Sequence, residues 1–373
     1  MRPYLIVLLA IVTTAFPRAL FSQITTKAAP EKAVTATTEV TDASARAETA
    51  TPSRLTLKKT ISLAAGPTSL VGSPKCDADG SSYIPDAGSL SISKFSATGE
   101  QVATFKANSS PDVPQIDGAA MFTVGPNGDV YQLVIPHSYD RDVFIYNKDG
   151  SYKSMVKLDV GGPWSPSLFV VLPSGNFLAT GQKWDRVAKE YVPFTGIFSS
   201  GGALLKELHL EDDGMIHELA ARGDSRVVPA PVSGGLNFAI SRGKMEIGSD
   251  GNVYLMRWLN PAVIYAISPG GEIERRFTVD PEDHDFTIGG MLVAGRRIAV
   301  IFHKGREGEN VEQEIIKVVD LEGNKIATYK MPMVDGRVAF GITLACYTQN
   351  PEQFTFLDWT KDEKMVLKIT EPQ

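Results

Sequence analysis

Three histidines, four tryptophans and several arginines of this chain fall in segments that read as loops, and a fourth histidine, His217, falls in a further inserted segment. The segments are IPHSYDRD (Ile135–Asp142), GGPWSPS (Gly161–Ser167), GQKWDRVAKEY (Gly181–Tyr191), MRWLN (Met256–Asn260), DPEDHD (Asp280–Asp285), FHKGREGEN (Phe302–Asn310) and LDWTKDEK (Leu357–Lys364). Imidazole suits zinc, and a bound metal can polarise a carbonyl or activate water. His137, His217, His284 and His303 are therefore the candidate metal ligands. Indole and guanidinium groups dominate binding hot spots. The candidate ligand-binding set is accordingly His137, Tyr139, Arg141, Trp164, Trp184, Arg186, Arg257, Trp258, His284, His303 and Trp359. The histidines have no short metal-ligand spacing, so the competing reading is surface imidazoles bonded to backbone or carboxylates. The chain has no G-x-S-x-G, Walker loop or CxxC. ARGDS (Ala221–Ser225) reads as a plain loop, and DADG (Asp77–Gly80) lacks the remaining ligands of a calcium loop.

What must position these residues is a repeat. Two turn types alternate between short β-rich runs. The first reads DADGSSYI, GPNGDVYQL, LPSGNFLAT and GSDGNVYLM, with a degenerate VAGRRIAVI. Its glycine permits the positive φ of a tight hairpin, and β-branched or aromatic residues start the next strand. The second reads KFSATGEQVATFK, IYNKDGSYKSMVK, IFSSGGALLKELH, YAISPGGEIERRF and VVDLEGNKIATYK, with aligned glycines at 99, 150, 202, 271 and 323. Their spacings are 51, 52, 69 and 52 residues, which places an insertion between Glu211 and Asn237. Repeated four-strand units at this period predict an all-β propeller. A last unit, from GITLACYTQ to MVLKIT, lacks its outer strand. Leu55–Leu63 is expected to supply that strand by pairing with Met365–Thr370, giving six blades in a closed ring. The loops between blades, and those joining second to third strands, then share one face, which collects the residues named above.

The chain has 373 residues and a formal charge of −6. MRPYLIVLLAIVTTAF has a basic start and an apolar run too short for a spanning helix, as in a secretory leader; residues 1–22 are expected to be removed. Loss of Arg2 and Arg18 takes the charge to −8. An acidic protein carries no electrostatic footprint for nucleic acid or anionic lipid. Residues 23–54 are rich in Ala, Thr and Glu and read as a disordered linker. The propeller spans 55–373, with no membrane insertion after leader cleavage, a monomeric state, and a periplasmic or extracellular location expected. In such a compartment Cys76 and Cys346, on inner strands that ring closure makes neighbours, could staple the seam; two unpaired buried thiols are the alternative.

The D-G-N-V-Y hairpins resemble those of bacterial exported six-bladed propellers of the NHL and TolB-like type, over essentially all of residues 55–373. The resemblance implies the fold, while members of that group include binders, lactonases and lyases. NHL-type lyases use histidines with a Tyr and an Arg; a lactonase-like calcium site would draw on carboxylates such as Asp140, Asp185, Asp283 and Asp358. Zinc or calcium is thus implied as an option, and no cofactor is required by the residues themselves. The reading favoured here is a binding module for a small molecule, glycan, peptide or partner protein. A metal-assisted hydrolase or lyase and a structural envelope-assembly protein are the alternatives.

Overall fold

The computed structural model describes residues 53–64, 73–77, 79–106, 113, 116–136, 142–210, 240–283, 285–305, 313–334, 337–341, 343–362 and 364–373. The expected leader, nearly all of the linker, and the insertion with its His217 and ARGDS lie outside these residues. So do His137, Tyr139, Asp140, Arg141 and His284.

The described chain is almost entirely strand. β1 (Ser53–Ser62) is followed by four antiparallel sheets of four strands, each in simple sequence order. They are β2 (Lys75–Cys76), β3 (Ser82–Asp86), β4 (Ser91–Phe95), β5 (Gln101–Lys106); then β6 (Ile116–Val124), β7 (Val130–Pro136), β8 (Asp142–Tyr146), β9 (Tyr152–Lys157). Next come β10 (Trp164–Val171), β11 (Phe177–Asp185), β12 (Glu190–Phe198), β13 (Leu204–Leu208), and β14 (Gly243–Ile247), β15 (Val253–Arg257), β16 (Ala262–Ile267), β17 (Ile273–Val279). The remainder forms one eight-stranded sheet. It contains β18 (Phe286–Ala294), β19 (Arg297–Lys304), β20 (Gln313–Asp320) and β21 (Lys325–Lys330), and beyond a small hairpin of β22 (Met333–Val334) and β23 (Arg337–Val338), β24 (Thr343–Gln349), β25 (Glu352–Trp359) and β26 (Met365–Pro372). Its order is β18-β19-β20-β21-β1-β26-β25-β24. The architecture is thus an all-β propeller with four separate blades and this larger sheet, where the repeat predicts six blades.

The larger sheet has two antiparallel halves. As strands they are joined where β1 lies parallel to β21, at Ser53↔Tyr329 and Arg54↔Lys330. The rest of β1 is antiparallel to β26, from Leu55↔Pro372 to Ser62↔Val366. The strand expected at Leu55–Leu63 therefore begins two residues earlier and pairs two residues further along its partner.

The core is a series of apolar seams between consecutive sheets, because each blade buries both faces against neighbours. One seam joins Leu178 and Ile197 to Leu255 and Val263. Another joins Tyr83, Ile92 and Phe105 to Val130 and Phe144. A third links Ile61 and Leu63 with Ile84, Phe95, Leu357 and Leu367, so the N-terminal strand packs on the first blade while pairing with the last strand. The second turn type explains its glycines here. Gly150 has φ 96°, and a Cβ on it would collide with the Thr104 carbonyl of the preceding blade. Gly99 stands in the same relation to the Ser62 carbonyl of β1.

Cys76 and Cys346 are joined as a disulfide, with Cα atoms 5.7 Å apart across 270 residues of sequence. That separation is within the range a disulfide spans. Cross-linking so long a segment restricts the unfolded chain. Replacing both cysteines with Ser is expected to cost about 2–4 kcal/mol, read as a lowered denaturant midpoint; an unmoved midpoint would show that the bond does not hold the seam.

Candidate functional site

The first strand of each four-strand run lies innermost. Contacts link β24 to β2, β6 to β10, β10 to β14, β14 to β18 and β18 to β24. Together these strands line a cavity of about 200 Å³. Val124, Val170, Ile247 and Val293 give it apolar walls; Lys75, Thr123, Glu246 and Tyr347 give it polar ones, and Cys76 and Cys346 lie in the lining.

Alternation along β14 sets the chemistry. Met245 is buried in the seam with the preceding blade, while Lys244 and Glu246 share the opposite, axial side. Lys75 Nζ donates to Glu246 Oε1 at 2.6 Å, with side-chain exposures of 15% and 25%. Lys244 Nζ donates to Ser73 Oγ. The two contacts form a ladder in register: Ser73 to Lys244, then Lys75 to Glu246. Both rungs join β2, or the residue leading into it, to β14. Those two strands are not neighbours among the inner-strand contacts above, so the rungs cross the axis. Burial holds the Lys244 ammonium below the ordinary lysine range, the charge of Lys75 lowers it further, and Glu246 opposes both.

At the turn end of the axis Tyr347 is anchored. Tyr347 OH and Tyr329 OH donate to Glu352 at 2.9 and 2.8 Å, and Arg297 Nη1 donates at 3.0 Å. Burial, reinforced by Glu352, raises both phenols well above their ordinary value, so they stay neutral donors. A second titratable position lies on the outer strands. Glu314 of β20 stands opposite His303 of β19, and burial pushes its carboxyl up to about 7.

Among the described residues, the aromatic and charged side chains expected on one face are engaged in different ways. Trp164 donates Nε1 to the Leu158 carbonyl at 2.7 Å and stacks on Phe198 at 5.4 Å, committed to a seam. Trp359 packs half-buried against the seam of Ile61 and Leu367. Arg257, expected to present charge in a loop, is the fully buried last residue of β15, donating to Thr180 Oγ1 and Thr195 Oγ1 at 3.0 and 3.1 Å. That contact locks adjacent blades and leaves no guanidinium surface for a ligand. Trp258 is half-buried, its Nε1 without a hydrogen-bond partner among the described residues. His303 is half-buried. Trp184 remains exposed, edge-on to Tyr191 at 5.2 Å, on a hairpin whose turn carries exposed Arg186.

The three candidate calcium ligands among the described residues are separately engaged. Asp185 caps its own turn by accepting from Val187 N and Ala188 N, Asp283 pairs with Lys304, and Asp358 pairs with Lys368. Among the described residues no group of three or more His, Cys, Asp or Glu is placed to hold a metal. The axial residues went unnoticed in the sequence although a signal exists. Lys244 and Glu246 stand in GKMEI, where corresponding strands end in FTV, LFVV and MLV.

No family model matches the chain, and no curated protein matches it. Solved structures do. A "putative exported protein" from Bacteroides fragilis is 12% identical with a TM-score of 0.51, covering 86% of this chain and 95% of its own. A calcium-binding regucalcin from Agrobacterium tumefaciens is 13% identical at TM-score 0.46, covering 84% and 95%. A virginiamycin B lyase from Staphylococcus aureus is 13% identical at 0.43, covering 85% and 99%. Likeness at this identity shows the propeller fold alone.

Two outcomes follow from the charges. Lys244→Met is expected to stabilise the protein by about 0.5–2 kcal/mol at neutral pH, as replacing a buried charge with an apolar side chain does, whereas Lys75→Met should destabilise it by about 1–3 kcal/mol by leaving Glu246 unpaired. The folded-state pKa of Lys244 is depressed, so its penalty is present below that pKa and relieved as pH rises through it; the gain in Lys244→Met should shrink in alkali. A loss of melting temperature in Lys244→Met would refute the assignment. The carboxyl of Glu314 is raised to about 7, so the fold holds the proton more tightly than the unfolded chain and stability falls as pH rises from about 4.5 to 7. Glu314→Gln should flatten that part of a melting-temperature profile.

Proposed function

We propose that this chain is an exported six-bladed β-propeller of the NHL and TolB-like type that binds a small ligand without transforming it, and that the seat is the axial channel. The eight-stranded sheet is read as two blades joined by the two parallel β1–β21 pairs, each half having the four-strand order of the separate blades. β1 then supplies the outer strand of the last blade, and the Cys76–Cys346 bond staples the seam it closes. The expected leader and the pairing of cysteines agree with an oxidising destination, periplasmic or extracellular.

The observation that carries the binding reading is the Lys75–Glu246 pair, brought from two inner strands into the lining of one cavity. Charges held half-buried cost stability unless they meet something there. A pocket with apolar walls and a few placed polar groups is the ordinary form of a small-molecule site. At about 200 Å³ this cavity suits a compact ligand better than a peptide or glycan chain.

Thermal melting of the purified protein against pyruvate, D-gluconate, glucose, N-acetylglucosamine and a tripeptide tests the seat. At least one compound is expected to raise the melting temperature, with the rise abolished by Lys75→Met and kept in Trp184→Ala. Dependence on Trp184 in place of Lys75 would move the seat to the loop face. A stoichiometric metal whose removal by EDTA lowers the melting temperature would turn the reading toward a metal-assisted enzyme.

A further inference from the structure

We propose that the Cys76–Cys346 bond is a redox latch on the axial seat: formed, it holds β2 in the cavity wall and the seat takes its ligand; reduced, it frees β2 and the affinity falls. This rests on the axial seat argued above and adds how that seat is regulated.

The bond is part of the wall. Cys76 and Cys346 both line the cavity, together with the residues beside them, Lys75 on one strand and Ala345 and Tyr347 on the other. A ligand in the seat therefore meets two segments that the bond ties together across 270 residues of sequence. A compound that contacts both segments binds more tightly when they are held at their bonded separation, because the walls are ordered before it arrives.

The two sides of the bond are not equally fixed. Cys346 is 7% exposed on β24, which pairs with β25 from Thr343↔Leu357 to Gln349↔Glu352. Cys76 is half-buried on a strand of two residues, paired with β3 at Lys75↔Tyr83 and Cys76↔Ser82. The inner strands of the next two blades are longer, nine residues in β6 and eight in β10. Just beyond Cys76 the chain is anchored, since Asp77 accepts from Ser81 N at 2.9 Å and from Tyr83 OH at 3.2 Å. Opening the bond leaves β2 to swing about Asp77. Lys75 goes with it, away from the Glu246 that it reaches across the axis at 2.6 Å. β2 is the moving wall and β24 the fixed one.

The ring stays closed when the latch opens. β1 still pairs with β26 from Leu55↔Pro372 to Ser62↔Val366, and Ile61 and Leu63 still pack on Ile84 and Phe95 of the first blade. Closure and cavity shape rest on separate contacts, so reduction changes the second and spares the first.

The chemistry is thiol–disulfide exchange. One thiolate of a small dithiol attacks Cys76 Sγ, the more exposed sulfur; the S–S bond breaks, and Cys346 Sγ leaves with the electron pair and takes a proton. The second thiolate of the reagent displaces Cys76 Sγ, which also takes a proton, and the reagent departs as a cyclic disulfide. An oxidising compartment drives the exchange the other way. A chain made with free thiols thus gains its full affinity where the bond forms.

Amide hydrogen exchange and ligand binding, each on the full chain oxidised and then reduced with dithiothreitol, test the latch. Reduction is expected to speed exchange about tenfold in the segment carrying Lys75 and Cys76 and to leave Leu57–Ser62 and Val366–Thr370 unchanged. Whichever of pyruvate, D-gluconate, glucose, N-acetylglucosamine or the tripeptide raises the melting temperature of the oxidised protein should bind the reduced protein about tenfold more weakly, and should shift the reduction equilibrium by the same factor. Replacing both cysteines with Ser should reproduce the reduced protein, with protection kept at β1 and β26 as the sign that the variant folds. Equal affinity in the two redox states overturns the latch and keeps the seat. Unchanged protection of β2 on reduction also overturns it, as does protection lost at β1 and β26 together with β2, which would make the bond a staple of the whole ring. Binding of none of the five compounds by the oxidised protein removes the seat, and the latch with it.

Discussion

The antiparallel pairing of Leu55–Ser62 with Val366–Pro372 is the contact on which the rest of the molecule leans. Without it the C-terminal run would be three strands with an open edge, and β21 would lose the strand beside it. The same strand turns Ile61 and Leu63 into the seam with the first blade and sets Ser62 beneath Gly99. One ten-residue segment thereby couples both ends of the chain. The Cys76–Cys346 bond acts at the inner strands of the same junction, where a covalent link complements an outer hydrogen-bonded one.

Blades of this kind have no shared centre of hydrophobic mass. Each sheet buries apolar side chains on both faces against neighbours, so stability is distributed over seams, and the strands nearest the axis are released from packing on their inward side. That freedom lets β14 place Lys244 and Glu246 on the axis while Met245, one residue away, remains fully engaged. The seams elsewhere consume residues with an outward look in sequence. Arg257 spends its guanidinium on two threonine hydroxyls, and Trp164 its indole on a backbone carbonyl and two phenylalanines.

Electrostatics on the axis differs from that at the turn end. Glu352 accepts from two phenols and a guanidinium, a satisfied cluster that ties the two halves of the eight-stranded sheet. Asp250 behaves similarly, meeting Tyr254 at 2.8 Å and Arg275 at 3.3 Å. Such clusters stabilise because every acceptor has its donor. Lys244 is unlike them, its ammonium meeting a single hydroxyl among the described residues.

Strand positions, both families of turn glycines and the need for an N-terminal strand beside the last one were legible from PNGDVY, SDGNVY and their spaced partners. A hairpin turn is a local event, set by glycine φ and the residues on either side, and so it can be read from a few consecutive letters. The residues of the axis could not be weighed in that way. Ser73 and Lys244 are 171 positions apart, as are Lys75 and Glu246, and no local rule distinguishes an axial lysine from one on an outer strand. The same holds for the tryptophans: sequence placed them near loops, but whether an indole faces solvent or a seam depends on what the next blade brings against it. The sequence by itself determined the repeating unit and its turns, because those depend on neighbours along the chain. Which side chains became surface, seam or axis was decided by closure of the sheets around one another, because burial and charge pairing depend on neighbours in space.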